Sequence, residues 1–238
     1  MIAKPDASPT GSVVLKVSGL RRAYGAATIV DDFDLTVRAG EAVAITGRNG
    51  AGKSTLLRCL VGADRADAGL VEINGRPVQE TDLEVRRDLA TLVDDFDFFP
   101  DLSVVEHLDL LARAHGLTTP LAVVDEILEE LQLLPQSGQL PDMLSTGQQQ
   151  RLALATVFIR PCKLLVLDEP EARLDAEGVN WLAERLHEER DKGLAIIFAS
   201  FDAQLINRVA TRVVHVGEPE RGTEDDVEHD PSGVDPIG

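Results

Sequence analysis

The chain has 238 residues, of which 44% are hydrophobic and only 4% aromatic, and its formal net charge is −18. That is enough apolar material for one large or two small domains with a core of Leu, Val, Ile and Ala. The acidic balance argues against nucleic acid as a partner, because binding a phosphate backbone depends on Lys and Arg. No run approaches the roughly 18–20 apolar residues of a membrane span, and residues 1–12 lack the apolar stretch of a signal peptide.

The first predicted elements are strands. Residues 13–17 and 29–37 alternate apolar and polar side chains, which predicts an antiparallel β layer. Residues 41–46 form a short apolar run ending in a glycine loop, and residues 53–61 predict a helix that opens there. Residues 66–75 predict a β return closed by Asn74-Gly75. From Val104 the apolar spacing changes to three and four. Helices are predicted over 104–116 and 121–134, stopping at Gly116 and Pro135. Residues from about 90 to 150 therefore predict a mainly helical insert. Residues 163–168 and 194–199 are continuous apolar runs, the pattern of parallel strands buried on both faces. An amphipathic helix is expected between them, over 179–192. Cys59 and Cys162 fit a reducing compartment as small buried hydrophobes. Beyond Gly217 eight carboxylates face Arg221 alone, which predicts a disordered acidic tail over 218–238; residues 1–12 predict a flexible start.

The glycine loop matches G-x-x-x-x-G-K-S/T in full, through Gly47, Asn49, Gly50, Ala51, Gly52, Lys53, Ser54 and Thr55. Strand, loop and helix in that order let backbone N–H groups and a helix N-terminus surround phosphate oxygens. Lys53 is expected to reach the β- and γ-phosphates and Ser54 to bind Mg²⁺. Asp168 closes an apolar strand, where a carboxylate binds Mg²⁺ directly or through water. Glu169 follows at the strand end, where the chain turns, and is placed to polarise an attacking water.

Downstream of the glycine loop stands Leu144-Ser145-Thr146-Gly147-Gln148-Gln149-Gln150-Arg151, which resembles the signature motif of ATP-binding-cassette (ABC) ATPases. Across about residues 13–217 the chain resembles an ABC transporter nucleotide-binding domain. The resemblance implies an α/β fold: a P-loop NTPase core with a mostly parallel sheet, an N-terminal antiparallel β subdomain and an inserted α-helical subdomain. It implies ATP and Mg²⁺ as ligands, with Tyr24 stacked on adenine, although a lone Tyr before a loop also serves for packing. It implies that Ser145, Gly147 and Gln148 face the γ-phosphate held by a second ATPase subunit, as a homodimer or a heterodimer. The other implied partner is a separate transmembrane permease, which selects the cargo and holds the protein on the inner face of the cell membrane. Residues 102–116 are similar to those of exporter-type ATPases. ABC ATPases of DNA repair or translation carry coiled coils, zinc modules or a second cassette, none of which this sequence contains.

Four departures from the family pattern stand out. Thr146 replaces the first glycine of the signature, and Ala172-Arg173 replace Ser-Ala before Leu174-Asp175. Asp94 stands where the family has a Gln that assists Mg²⁺, unless the loop is shifted by one and Asp95 is the equivalent. Phe201 stands where the family has a His that contacts the γ-phosphate. Phe donates no hydrogen bond, so the resemblance implies better ATP binding than hydrolysis. Asp94, Asp95, Asp97 and Asp101 lie where the family receives a cytoplasmic helix of the permease; they are either a docking site for basic residues or solvated loop acids.

Overall fold

The computed structural model describes residues 11–79 and 81–217. The expected acidic tail over 218–238 and residues 1–10 of the expected flexible start over 1–12 lie outside the described residues, while the Ser12 carbonyl accepts from Ala39 N–H at 2.9 Å. The chain builds two sheets. Strands β1 (Val13–Tyr24), β2 (Ala27–Arg38), β4 (Ala68–Ile73) and β5 (Arg76–Pro77) form an antiparallel sheet in the order β2-β1-β4-β5. The first two strands are longer than the alternation predicts, because β1 and β2 remain paired to the tight connection Tyr24–Ala27.

The second sheet is parallel throughout, in the order β6-β7-β8-β3-β9. It contains β3 (Ala42–Thr46), β6 (Leu89–Leu92), β7 (Leu164–Asp168), β8 (Ala195–Ala199) and β9 (Arg212–His215). The apolar runs of β3, β7 and β8 follow from burial on both faces. Val43, Ile45, Leu164, Val166, Ala195 and Ile197 point toward the antiparallel sheet and helix α1 (Lys53–Val61). Their neighbours Ala42, Ala44, Leu165, Leu167, Ile196 and Phe198 point to the opposite face. There they meet α5 (Thr146–Phe158), α6 (Ala176–Asp191) and α7 (Ala203–Val209).

Helices α3 (Val104–Ala114) and α4 (Pro120–Glu130) pack with α5 around a third cluster that includes Leu108, Leu128 and Leu152. A short helix α2 (Leu83–Asp88) precedes β6. Because α5 sends Leu154 and Val157 to the sheet and Leu152 and Ala155 to the helical cluster, it joins the two. Two sequence expectations are corrected. Residues 90–92, at the start of the expected helical insert, belong to the parallel sheet through pairing with β7. The second predicted helix ends at Glu130 rather than before Pro135, because Gln132 takes a left-handed φ of 57° that breaks the ladder. Among the described residues no helix is long and apolar enough to cross a membrane.

Candidate functional site: a nucleotide cleft

Strands β3 and β7 deliver the glycine loop and the Asp168-Glu169 pair to one place, the C-terminal edge of the sheet, where open α/β sheets bind ligands. The glycine loop follows β3 directly. A Cβ at Gly47 would collide with the Val216 carbonyl oxygen, so the loop runs against the chain after β9 with no room for a side chain. Gly52 caps α1 at φ 93°, and a Cβ there would lie 2.5 Å from Ile29 Cγ2 of β2. Having no side chain, Gly52 leaves the first-turn amides of α1 available to an anion. Lys53, the first residue of α1, is buried; its Nζ donates to the carbonyls of Gly47 at 3.3 Å and Arg48 at 3.4 Å. Asn49, Gly50 and Ala51 form the loop between, and Ser54 and Thr55 continue the first turn of α1.

Next to this loop opens a cleft of about 710 Å³ whose walls include Ser54, Arg58, Asp94, Asp168, Glu169 and Arg173. Asp168 ends β7, and Glu169 then takes a left-handed φ of 45°. Its N–H donates to the Ala199 carbonyl at 2.9 Å, and its carbonyl accepts from Ala172. A non-glycine residue held in that region costs on the order of 1–3 kcal/mol and marks functional loops. Turning the chain at Glu169 brings two consecutive carboxylates to the same cleft, which an extended strand would not do.

Burial pushes the Asp168 carboxyl above the usual range and the Glu169 charge adds to this; the Ser54 hydroxyl and the charges of Lys53 and Arg58 oppose it. Asp168 Oδ1 is buried without a hydrogen-bond partner. A buried oxygen left free beside a hydroxyl is a fit for a hard cation. Among the described residues no group of three or more His, Cys, Asp or Glu side chains converges as a metal cage. Mg²⁺ does not need one, since it takes one or two protein ligands plus phosphate and water.

Asp94 lines the same cleft, but its Oδ1 accepts from Arg58 Nε at 2.7 Å and also pairs with the second guanidinium nitrogen. Its immediate partner is thus a cation of the protein. Arg58 had no motif to mark it; its signal is the four-residue spacing from Ser54, which puts both on one face of α1. Asp95 pairs with Arg173 at 3.3 Å and is highly exposed.

Tyr24, at the end of β1, is not a wall of the cleft. Its hydroxyl donates to Asp64, and the Arg22 guanidinium lies 4.3 Å from its ring centroid. The ring is therefore held in place while about half exposed. Ser145 and Gln148 form a reciprocal capping box on α5: Ser145 N–H donates to Gln148 Oε1 at 2.9 Å and Gln148 N–H to Ser145 Oγ at 3.3 Å. Both side chains accept here, so the Ser145 hydroxyl proton and the Gln148 amide protons remain available as donors. Gly147 sits against the Arg173 carbonyl, where a Cβ would be 3.1 Å away. Gln150 donates to the Pro170 carbonyl at 3.0 Å. The signature helix is thereby fastened to the loop that descends from Glu169.

Phe201 follows β8 and Ser200 and has its ring centroid 3.8 Å from Lys53 Nζ. In the place expected for a phosphate-contacting His, this chain covers its loop lysine with an aromatic face.

A parallel sheet with a glycine loop, a buried lysine and a strand-end aspartate gathered at one edge defines a P-loop nucleotide-binding protein of the α/β class. Residues 30–172 match the family model described as ABC transporter. The chain belongs to the ABC transporter family, whose ATP-binding proteins bind ATP. It is 36% identical to a sulfate/thiosulfate import ATP-binding protein of Chromobacterium violaceum, over 89% of this chain and 58% of that protein. It is 32% identical to the SkfA peptide export ATP-binding protein of Bacillus subtilis, over 84% of each. A solved structure described as the ATP-binding subunit of an ABC transporter superposes with a TM-score of 0.78 at 29% identity, covering 86% of both chains. The chain thus spans little more than half the length of the import relative, and its relatives include both import and export proteins.

Proposed function

We propose that the protein is the ATP-binding subunit of an ABC exporter, with residues 13–217 as the ATPase domain, acting beside a separate permease on the inner face of the membrane. The observation that carries this reading is the convergence of the open N-terminus of α1, buried Lys53 and the unpartnered Asp168 Oδ1 at the C-terminal edge of one parallel sheet, after β3 and at the end of β7. In it, Gly47 to Thr55 cradle the phosphates and Lys53 carries the countercharge. Ser54 and Asp168 would hold Mg²⁺, which would supply neutralisation of phosphate charge. Asp94 acts at one remove, by holding Arg58. Glu169 orients the attacking water, and Tyr24, steadied by Arg22 and Asp64, offers a ring to adenine. Ser145, Gly147 and Gln148 present donors to the nucleotide of a second ATPase subunit. Export rests on the likeness of residues 102–116 to exporter-type ATPases.

A second reading is favoured by one contact. Phe201 lies on Lys53 and has no hydrogen to donate to phosphate, so the chain's own site binds ATP and turns it over slowly, and a different ATPase chain completes the pair. Affinity purification of the tagged protein from detergent extracts of its native cell tests both. A permease alone supports a homodimeric exporter subunit, a permease with a second ATPase supports the asymmetric pair, and recovery with no membrane protein contradicts both.

A further inference from the structure

A second cavity, of about 460 Å³, lies at the opposite edge of the parallel sheet from the nucleotide cleft. Lys163 and Leu194 line it and stand immediately before β7 and β8. Strand β7 has five residues, so at ~3.3 Å per residue roughly 16 Å of extended chain separates this edge from Asp168. The volume falls within the roughly 300–1,000 Å³ of small-molecule sites. Val157, Phe158, Leu165 and Leu194 give the cavity apolar walls, against which a hydrocarbon body loses its contact with water.

One charged group on the wall has no counterion. Arg160 is partly buried. Its Nη2 donates to the Arg86 carbonyl at 2.9 Å and to the Leu89 carbonyl, while its Nε is buried without a partner. The ionisable groups that act on the guanidinium are Arg86, a second cation, and the Cys162 thiol. Burial pushes that thiol up to about 11, so at neutral pH it is uncharged and supplies no anion. Burial, with the charges of Arg160 and Arg86, also holds His115 below its ordinary value. The other cations of the wall are already answered: Lys163 pairs with Asp88 at 3.0 Å and Lys192 with Glu189 at 3.1 Å. Glu189, the acid on the wall, is further engaged by Arg185 at 3.4 Å. Among the described residues the cavity is thus left with one unanswered positive charge, in a chain whose net charge is −18. A cation drawn partly out of water is costly until an anion meets it.

We infer that this cavity is a binding site for a singly charged carboxylate with an apolar body, whose hydrocarbon part lies against Val157, Phe158, Leu165 and Leu194 while its carboxylate meets Arg160. One unanswered charge suits a monoanion better than a phosphate dianion. The apolar walls suit a hydrocarbon tail better than a bare ion. The inference does not depend on the nucleotide reading, because the two sites share no wall residue.

The test is calorimetric titration of the full chain with octanoate and with octanamide, which has the same chain length and no charge. Wild type, Arg160→Met and Lys192→Met are compared, with melting curves to show that each is folded. Octanoate should bind saturably at one site, about tenfold or more tighter than octanamide, the span of one charge-assisted contact. Arg160→Met should bring octanoate down to the level of octanamide. Lys192→Met should change it by less than about twofold, since that charge already has a partner. Saturating Mg·ATP should leave octanoate binding unchanged. The comparison of the two probes on the wild type needs no substitution, so it decides the question even if Arg160→Met does not fold. Absence of saturable octanoate binding, octanamide binding as tightly, a folded Arg160→Met that binds like the wild type, a larger loss in Lys192→Met, or displacement by Mg·ATP each overturns the site.

Discussion

Arg151 of the signature helix grips both carboxylate oxygens of Asp175, at 2.9 and 3.1 Å, while the same carboxylate caps α6 by accepting from Gly178 N–H at 2.8 Å. One side chain thus fixes the start of α6 and the face of α5 that carries Ser145 to Gln148. Asp175→Ala should cost about 1 kcal/mol, the usual loss of an N-cap, read from urea denaturation. The Gly178 N–H, with help from Arg151, holds the Asp175 carboxyl below its ordinary value. A depressed folded-state value gives stability that is complete above the unfolded value near ~4 and is lost as pH falls through the folded one. Asp175→Asn should therefore flatten the acid limb of the stability curve below about pH 4.

A second pH effect has its origin in His107. The ring is buried, neither nitrogen has a partner, and Phe96, Phe98 and Phe99 surround it with centroids 5.3–5.8 Å away. Burial holds its pKa below the usual histidine value. Here the unfolded chain takes up a proton first, so stability is full above about pH 6.5 and declines as pH falls below it. Burial shifts His115 in the same direction, so it adds to the decline. The melting temperature should fall between pH 7 and pH 5, and fall less in His107→Leu.

Backbone conformation and crowding separate at two glycines. Gly25 has φ 61° with open space where a Cβ would stand, whereas Gly52 has φ 93° and its Cβ would meet Ile29. Gly25→Ala should cost only backbone strain, about 1 kcal/mol. Gly52→Ala should cost more, because β2 must also shift, and it should weaken ATP binding as well. Chemical denaturation and ATP titration of the two variants provide the comparison.

Asp94 and Asp168 make unequal claims on a cation. Asp168 has a free buried oxygen, while Asp94 is committed to Arg58. Asp168→Asn should weaken the Mg²⁺ dependence of ATP binding by about tenfold or more, the scale of one charge-assisted ligand. Asp94→Asn should change it by less than about threefold, because its pair with Arg58 is half exposed and of small net value. Mg²⁺ titrations at fixed ATP measure both.

The strands with apolar residues on both faces were legible in the sequence, because β3, β7 and β8 are each buried between two layers and every position is selected for packing. β6 was not: it has four residues and a single partner strand, β7, too little for a pattern. The end of α4 was obscured because Leu131 and Leu133 stay in the core after the helix stops, so apolar spacing outlasts the helix. The glycine loop, the Asp168-Glu169 pair and the signature were readable because each works through neighbouring residues. The pairs Arg58–Asp94, Arg151–Asp175 and Lys53–Phe201 join distant segments, and only the folded chain brings them together.

In the slow-turnover reading, this chain binds ATP in a site whose own hydrolysis is limited at Phe201. Steady-state phosphate release by the purified wild type, Phe201→His and Glu169→Gln measures it most directly. A restored donor to the γ-phosphate is worth about 10²–10³ in rate. The expected result is a wild-type rate close to that of Glu169→Gln, and a rise toward that factor in Phe201→His. A wild-type rate already far above Glu169→Gln and unchanged in Phe201→His would contradict it.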